Sequence, residues 1–521
     1  MKELGVCVLF VELCERLTFF AVACNMILFC TVKLGYRNHQ AAVANLSFVG
    51  ATTLAPWAVG WLGARLSRIR LLFVCSLLHV LGCALLAAVA FPLEDFYVDS
   101  QHLVGLLHGK ARILLFSTAL LAVCLGAGGV RGLVCPLGTS DPHRVSPARL
   151  VSFFSWSCWS ASLNGAVVFL GISYVQQAAA QNLVFLLPCL SALMAFVSLH
   201  VACGHLRPPP RRGVSARTTV GVPVEVWGRG LGRAGPSGET RVEDVKALVG
   251  LFPYLVANFI YRAASTQIPA GYYLQMMNST LSLKGFLLPI AAMNVVSLLP
   301  PLVLLPLFDV ARGLWSCPDG GLRTPSAAIV AGHLVAALSL AAAGFTEMHR
   351  KGFPLVEQTL SGKVLLASAM PCAHLTPQYA LLGLAEALVA PACSVLSFRL
   401  VPRALRPVSG SLLTVSNGLG CLLGAGLVSS AHLASQGNWF PSFLNSGNLE
   451  KFFFFLASLM LLSALGFWTV SPRYHPLNQS DDPGMGESDL EGALLLYGTS
   501  PRRYGSSLEF SSTLDCLETT L

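Results

Sequence analysis

The run Glu12-Leu-Cys-Glu15-Arg16 interrupts an apolar stretch that extends from about Val6 to Phe29. An apolar stretch of this length predicts a helix that spans a membrane. Each charge near the centre of a bilayer costs about 2.5 to 3.5 kcal/mol on insertion scales, so three charges persist there only where they pair and face protein or water. Helical spacing allows this, because Glu12 stacks over Glu15 and Arg16 on one face.

Two interpretations of this charged face are open. The residues form an internal ion pair that locks the helix to a neighbour, or they take part in function. An isolated Glu-Arg pair would fit either interpretation equally well. The second carboxylate on the same face favours function. Glu12, Glu15 and Arg16 are therefore candidate functional residues.

The composition is that of a membrane protein with several spans. Of 521 residues, 54% are hydrophobic and 11% are charged, which is too few charges to cover a soluble globule of this size. The first apolar segment is too long for a signal-peptide core, so we expect no cleavage and a cytosolic amino terminus. The 16 cysteines lie mostly in apolar segments without metal-ligand spacing, which predicts small buried residues, no disulfide framework and no bound metal.

Apolar stretches of spanning length recur along the chain and predict an all-α membrane protein with twelve transmembrane helices. The predicted spans are 5–32, 43–64, 70–91, 112–137, 150–173, 181–203, 246–268, 285–309, 325–346, 364–400, 407–434 and 451–471. A long interruption rich in Arg, Gly and Pro favours a linker between two six-helix halves, an architecture typical of transporters. The predicted divisions are a first half (1–203), a cytosolic linker (204–244), a second half (245–471) and a disordered cytosolic tail (472–521).

The basic residues are unevenly distributed along this topology. Most of the 34 Lys and Arg residues fall on the cytosolic side when the amino terminus is placed there, as the positive-inside rule requires. The linker has one aromatic residue, Trp227, and no stacking pattern, so we expect contact with membrane lipid and not with nucleic acid. The plasma membrane and the endolysosomal membrane are the two expected locations.

Two short motifs lie outside the predicted helices. Glu491-Gly-Ala-Leu-Leu495-Leu496 in the tail resembles a sorting signal that endosomal adaptors read. Asn278-Ser-Thr in the predicted outer loop after helix seven is a candidate for N-glycosylation. Such short patterns also arise by chance, so both assignments are hypotheses.

Two further charged residues lie deep within predicted helices. Arg131 follows a glycine-rich run in the fourth helix and is the candidate counter-ion of Glu12 or Glu15. Glu386 stands alone in the tenth helix, and an unpaired membrane carboxylate requires a cation. Basic groups in one half and an acid in the other would suit a zwitterion, with its amine toward Glu386.

Arg262 in the seventh helix complicates this charge balance. It would neutralise the excess acid if it faced the cavity. We expect it nearer the outer end, as a gate residue or snorkelling to the interface. Tyr272, Tyr273 and Gln275 at that end are either substrate contacts or ordinary residues of the membrane belt.

Four motifs carry a resemblance to one family. Glu12-Leu-Cys-Glu15-Arg16-Leu-Thr-Phe-Phe resembles the Glu-x-x-Glu-Arg-Phe-x-Tyr-Tyr signature of the proton-coupled oligopeptide transporters, solute carrier family 15 of the major facilitator superfamily. Gly126-Ala-Gly-Gly-Val-Arg131 resembles the family motif Gly-x-Gly-Gly-x-Lys/Arg. Phe153-Phe-Ser-Trp156 resembles the start of the family's fifth helix. The stretch that begins at Gln378-Tyr, includes Glu386 and ends at Pro402 resembles its tenth helix. The resemblance implies the major facilitator superfamily fold and proton-coupled solute transport.

The resemblance also implies roles for the matching residues. Glu12 and Glu15 correspond to proton-coupling carboxylates. Arg16 and Arg131 correspond to partners of those carboxylates and of a peptide carboxylate, and Glu386 corresponds to the group that receives a peptide amine. A proton is then the coupling ion, and no other cofactor is expected.

Several positions depart from the family pattern. Phe19 and Phe20 replace tyrosines that hydrogen-bond peptide, and Cys158, Ser162 and Leu46 stand where the family has Tyr, Asn and, in mammalian members, His. We keep Phe19, Phe20 and Ser162 as substrate-binding positions. A hydrogen bond lost from a desolvated site shifts affinity by about 1 to 3 kcal/mol, so several losses together could change the substrate class.

The loop between helices two and three departs from the pattern as well. Gly60-Trp-Leu-Gly-Ala-Arg65-Leu-Ser-Arg68 resembles the loop of the superfamily but lacks its aspartate. That acid helps to latch the two halves on the cytosolic side in the superfamily. This aspartate is absent here, and the presumed site has lost several hydrogen-bonding groups. Both departures favour a protein that transports little solute, more strongly than the sequence of a typical family member would.

Three functional hypotheses follow. The leading one is a proton-coupled symporter of small zwitterions, di- or tripeptides or amino acids such as histidine, that works by alternating access. The competing hypothesis is a transporter-like sensor or scaffold that binds partners through its linker and tail. A facilitator for an unrelated organic ion is the third. No nucleophile-base pair or metal-ligand set indicates an enzyme.

Overall fold

The structure is a computed structural model that describes residues 2–66, 68–90, 109–134, 147–178, 186–203, 238–283, 286–314, 325–360, 363–400 and 409–474. The described residues form twelve long helices, which confirms the predicted all-α architecture. The first six helices are α1 Lys2–Val32, α2 Asn38–Arg65, α3 Arg68–Ala90, α4 Gly109–Val134, α5 Pro147–Ala178 and α6 Leu186–Cys203. The second six are α7 Gly238–Ser265, α8 Ile290–Leu314, α9 Pro325–Lys351, α10 Thr376–Leu400, α11 Ser409–Ala434 and α12 Leu449–Val470.

The helices are long and apolar enough to cross a membrane. Within the described ranges, nine of them meet length and hydropathy criteria for a span. The apolar part of α6, Leu186–Val201, is shorter than these nine. Large apolar side chains such as Leu114 and Leu462 are mostly exposed on the outside of the bundle, as lipid-facing residues are. The protein is therefore an integral, multi-pass membrane protein.

A small β structure lies where the sequence predicts helix or loop. Strands β4 (Leu355–Leu360) and β5 (Lys363–Pro371) form an antiparallel hairpin between α9 and α10, and β1 (Ser279–Thr280) pairs with β5 in parallel. Strands β2 (Ser282–Leu283) and β3 (Phe286–Leu287) form a second, two-stranded sheet. The prediction of one helix over 364–400 is wrong at its start, because hydropathy does not separate an apolar strand from the end of an apolar helix.

Other boundaries differ less. A π-helical turn, Ile268–Tyr272, and a short helix, Tyr273–Met277, extend α7 beyond Ser265. Helix α7 begins at Gly238, inside the predicted linker. Residues 204–237 of that linker and residues 475–521 of the predicted tail lie outside the described residues, as do the side chains of Arg65 and Arg68.

The two halves contact each other at both ends of the bundle. At the end where α1 leads into α2, the side chain of Asn38 donates to the carbonyls of Pro441 and Ser442 at 2.9 and 3.1 Å. In the same region the rings of His39 on α2 and His432 on α11 stack with centroids 3.5 Å apart. We call this region the α1–α2 end.

The opposite end has its own contact between halves. The ring of Phe154 on α5 lies 6.5 Å from the ring of Phe398 on α10. Nearer the middle, the indole of Trp159 donates to the carbonyl of Leu302 on α8 at 3.0 Å. Helix α5 therefore packs against the second half along much of its length.

Glycines allow several helices to approach at backbone distance. Gly128, Gly132, Gly420 and Gly424 have this packing role, because a Cβ at each would collide with a neighbouring helix. Gly383 on α10 is the tightest position: a Cβ there would overlap the carbonyl oxygen of Ser297 on α8. A backbone atom cannot swing away as a side chain can, so this crossing requires glycine.

We expect Gly383→Ala to lower the melting temperature of the purified protein, because overpacking a tight contact costs about 1 to 3 kcal/mol. Gly426→Ala on α11 is the matched control, since a Cβ there meets nothing within 4 Å. Thermal unfolding in detergent, followed by intrinsic fluorescence, compares the two variants. Equal melting temperatures would contradict backbone contact between α8 and α10.

Candidate functional site

The first charged cluster lies between α1 and α4. Glu15 is 1% exposed, and the guanidinium of Arg131 donates to both of its oxygens, Nη2 to Oε1 at 2.5 Å and Nε to Oε2 at 3.2 Å. Small residues position Arg131, because Gly128 and Gly129 let α4 lie against Ala55 of α2 and Cys75 of α3. The predicted pairing of Arg131 with a carboxylate of the first helix is therefore confirmed, and its partner is Glu15.

Glu12 and Arg16 lie beside this pair and are half-buried. Arg16 interacts electrostatically with Glu12, Glu15 and Arg131. Within the part of the chain that the structure describes, neither Glu12 nor Arg16 has an ion pair or a hydrogen bond to its side chain. The cluster thus presents one guanidinium and one carboxylate that remain available to a ligand or a proton.

Aromatic residues cover the cluster where the family signature has tyrosines. The guanidinium carbon of Arg131 lies 5.5 Å from the centre of the Phe19 ring, a cation–π contact. Phe20 packs against Phe19 and against Phe169, with centroids 5.3 and 4.7 Å apart. The hydroxyl of Ser162 donates to the carbonyl of Cys158 at 2.9 Å. These three positions therefore offer shape and an apolar surface, and their hydrogen-bonding capacity is small.

The second charged cluster joins α7, α10 and α11. One oxygen of Glu386 accepts from Arg262 Nη1 at 2.9 Å, and the other accepts from the Tyr261 hydroxyl at 2.8 Å. Arg262 Nε donates to the Asn417 side chain at 3.0 Å. The expectation that Glu386 is unpaired is wrong, because its partner is Arg262, which we expected to act as a gate residue or to snorkel to the interface. Sequence spacing cannot relate residues on helices that are more than a hundred positions apart in the chain.

Helix α5 lies next to both clusters. Helix α5 of the first half packs against α8 and α10 of the second half. Cys158 on α5 interacts electrostatically with both Glu386 and Arg262. Ser162 lies one turn further along α5 and faces the same side. Helix α5 therefore borders both clusters, with Cys158 near Glu386 and Arg262, and Gly165 next to Phe20.

Three residues beside these clusters were not predicted from the sequence. His79 on α3 is 2% exposed, interacts electrostatically with Glu15 and Arg131, and its Nε2 has no hydrogen-bond partner among the described residues. Tyr261 and Asn417 hold Glu386 and Arg262. Each is a polar residue within an apolar span, the same signal that identified Arg131 and Glu386.

The polar residues after α7 form a separate, buried network. Gln275 donates to Glu347 at 3.1 Å, and Glu347 pairs with Arg350 at 2.7 Å, with Glu347 and Arg350 at most 1% exposed. The Tyr272 hydroxyl shares a hydrogen bond of 2.7 Å with Ser339. This favours packing over substrate contact for Tyr272 and Gln275.

The glycosylation candidate lies next to this network. The Asn278 side chain donates to the carbonyl of Leu274 at 2.9 Å, and the Thr280 hydroxyl donates to the carbonyl of Ser368 at 2.8 Å. Modification of Asn278 stays a prediction. The sorting motif at Glu491, Leu495 and Leu496 lies outside the described residues. No group of three or more metal-ligating side chains occurs in the described ranges.

Comparison with known sequences identifies relatives over the whole chain. The family model described as PTR2, POT family, matches residues 224–440. Solute carrier family 15 member 5 from Homo sapiens is 48% identical over 100% of this chain and 93% of its own length. Protein NRT1/PTR FAMILY 5.14 from Arabidopsis thaliana is 25% identical over 88% of this chain and 90% of its own.

Comparison with solved structures identifies the fold. A peptide transporter POT in complex with sulfate has a TM-score of 0.66 and 17% identity, covering 91% of this chain and 95% of its own. A POT family transporter in complex with 5-aminolevulinic acid has a TM-score of 0.66 and 13% identity, covering 91% and 96%. Both likenesses show a shared fold, the twelve-helix arrangement of the major facilitator superfamily.

Proposed function

This chain belongs to solute carrier family 15, the POT family, and we propose that it is a proton-coupled symporter of small solutes that carry a carboxylate. Di- or tripeptides and amino acids such as histidine belong to this class. The observation that supports the proposal best is the buried Glu15–Arg131 pair beside the available side chains of Arg16 and Glu12. It combines a group that can take a proton with cations that can hold a carboxylate.

Coupling follows from competition for Arg131. While Glu15 is ionised it occupies both donors of the Arg131 fork that face it. A proton on Glu15 removes that charge, so Arg131 can turn to the carboxylate of a solute beside Arg16. Proton and anionic solute then favour each other's binding, which is the reciprocal linkage that symport requires. Glu12 is a second carboxylate that can carry the proton.

Contacts at both ends of the bundle support the proposal that the protein works by alternating access. The α1–α2 end closes through Asn38 and the His39–His432 stack, and the opposite end closes through Phe154 and Phe398. Rocking of the two halves would break one set of contacts while the other set holds. Binding of solute and proton between the halves biases this equilibrium.

Uptake into proteoliposomes tests the symport. A labelled panel of dipeptides, amino acids and other small carboxylates is offered with and without an inward proton gradient. We expect at least one carboxylate to accumulate above equilibrium with the gradient and only to equilibrate without it. Gradient-independent uptake of every solute would contradict proton coupling.

A sensor or scaffold with little transport is the second candidate. The replacement of hydrogen-bonding groups by Phe19 and Phe20, which pack on Arg131 and Phe169, supports it. Absence of accumulation for the whole panel by correctly folded protein would favour it. Independently of which candidate holds, we propose that both termini are cytosolic, that the protein resides in the plasma or endolysosomal membrane, and that a sorting adaptor binds the tail.

A further inference from the structure

We propose that Arg262 sets the substrate class of this site: its guanidinium occupies, on Glu386, the place where the amine of a zwitterion would bind. The protein then recognises small solutes by their carboxylate and has no requirement for a free amine. N-acylated peptides and simple carboxylates are substrates at least as good as free peptides. This inference rests on the proposed function, because it names the cargo of that same site.

The first argument is that each oxygen of Glu386 already accepts a hydrogen bond, one of them from a cation. Arg262 donates to Oε1 at 2.9 Å and Tyr261 donates to Oε2 at 2.8 Å. An ammonium group would either displace the guanidinium, a charge-assisted partner of equal sign, or bind beside it against like-charge repulsion. Amine binding at Glu386 therefore yields little net gain while Arg262 is in place.

The second argument is that Arg262 is held on several sides. Its Nε donates to Asn417 Oδ1 at 3.0 Å, and Asn258 donates to the same oxygen at 3.1 Å. The stem of Arg262 packs against Gly420. A Cβ added to Gly420 would lie 2.5 Å from the Cβ of Arg262. The guanidinium carbon lies 5.4 Å from the centre of the Tyr261 ring. A side chain restrained in this way loses little entropy on staying paired with Glu386.

The third argument is charge balance. With Glu15 paired to Arg131 and Glu386 paired to Arg262, Glu12 and Arg16 are the remaining charged groups of the two described clusters, one of each sign. A monoanionic carboxylate that enters with one proton keeps the site neutral. A zwitterion that enters with one proton adds a positive charge to a space enclosed by apolar helices, which is unfavourable. The site therefore suits an anion with a proton.

Direct binding of a matched ligand pair tests the inference. Equilibrium binding of labelled alanyl-phenylalanine and of its N-acetyl analogue is measured on purified protein in detergent. For the wild type we expect the acetylated dipeptide to bind at least as tightly as the free dipeptide. Arg262→Gln frees Glu386, so the free dipeptide should gain about tenfold over the acetylated one. Arg262→Lys keeps a cation on Glu386 and should retain the ratio of the wild type.

Each outcome decides the inference. It is overturned if the wild type already prefers the free amine about tenfold, if Arg262→Gln leaves the ratio unchanged, or if the wild type binds neither ligand. The double variant Arg262→Gln with Glu386→Gln should lose the gain, which assigns it to Glu386. If Arg262→Gln does not fold, the ratios of the wild type and Arg262→Lys still decide. Failure of proton-driven uptake with these ratios intact would refute the symport and leave the inference standing.

Discussion

Glu15→Gln is expected to lower proton-driven accumulation of solute about tenfold or more, since it removes the carboxylate that holds Arg131 and can carry the proton. Solute exchange between equal pH values on both sides should fall much less, because the glutamine still accepts a hydrogen bond from Arg131. Proteoliposome uptake measured with a proton gradient, and counterflow measured without one, separate the two effects.

The same variant should also be less stable. Removal of one partner from a buried ion pair costs about 3 to 5 kcal/mol, and the loss should be near the lower end because the Arg131 side chain is 25% exposed. Glu15→Asp is the control, since it keeps a titratable group on α1. Full gradient-driven accumulation by folded Glu15→Gln would show that Glu15 does not couple proton and solute.

Cross-linking α2 to α11 at the α1–α2 end is expected to stop transport. His39 and His432 stack 3.5 Å apart across the two halves, so cysteines at both positions lie within reach of a short bifunctional thiol reagent. Uptake by the double variant should fall about tenfold after cross-linking and recover after reduction, because the bridge prevents this end from opening. The reagent should leave each single variant unaffected, which controls for the cysteines already present.

The completeness of the cross-link is checked independently. A protease site placed between residues 204 and 237 divides the chain into its two halves, and only bridged halves migrate together on a non-reducing gel. Unimpaired uptake by fully bridged protein would contradict movement of the halves at this end.

The sequence alone predicted the helices well, because a membrane imposes a length and an apolar composition that can be counted. It predicted for the same reason that Arg131 pairs with Glu12 or Glu15, since charges within a span require partners, and the structure shows that the partner is Glu15. The strand Lys363–Pro371 was missed, because its apolar residues satisfy the criterion for a span equally well.

The second charged cluster was predicted only in part. Glu386 was identified because it interrupts an apolar helix, but Arg262 was not identified as its partner. Arg262 reaches Glu386 because Gly420 and Asn417 of α11 accept its stem and its Nε, and neither contact is visible in residue spacing. The result changes the chemistry of the site, because a carboxylate expected to bind an amine already has a cation.

The most direct test of symport reverses the driving force. Proteoliposomes with equal pH on both sides and a pH-sensitive dye inside receive an inward gradient of a transported carboxylate. Wild-type protein is expected to carry protons inward with the solute and acidify the interior, whereas Glu15→Gln should not. Uptake of the labelled solute by wild-type protein without acidification would contradict proton-coupled transport.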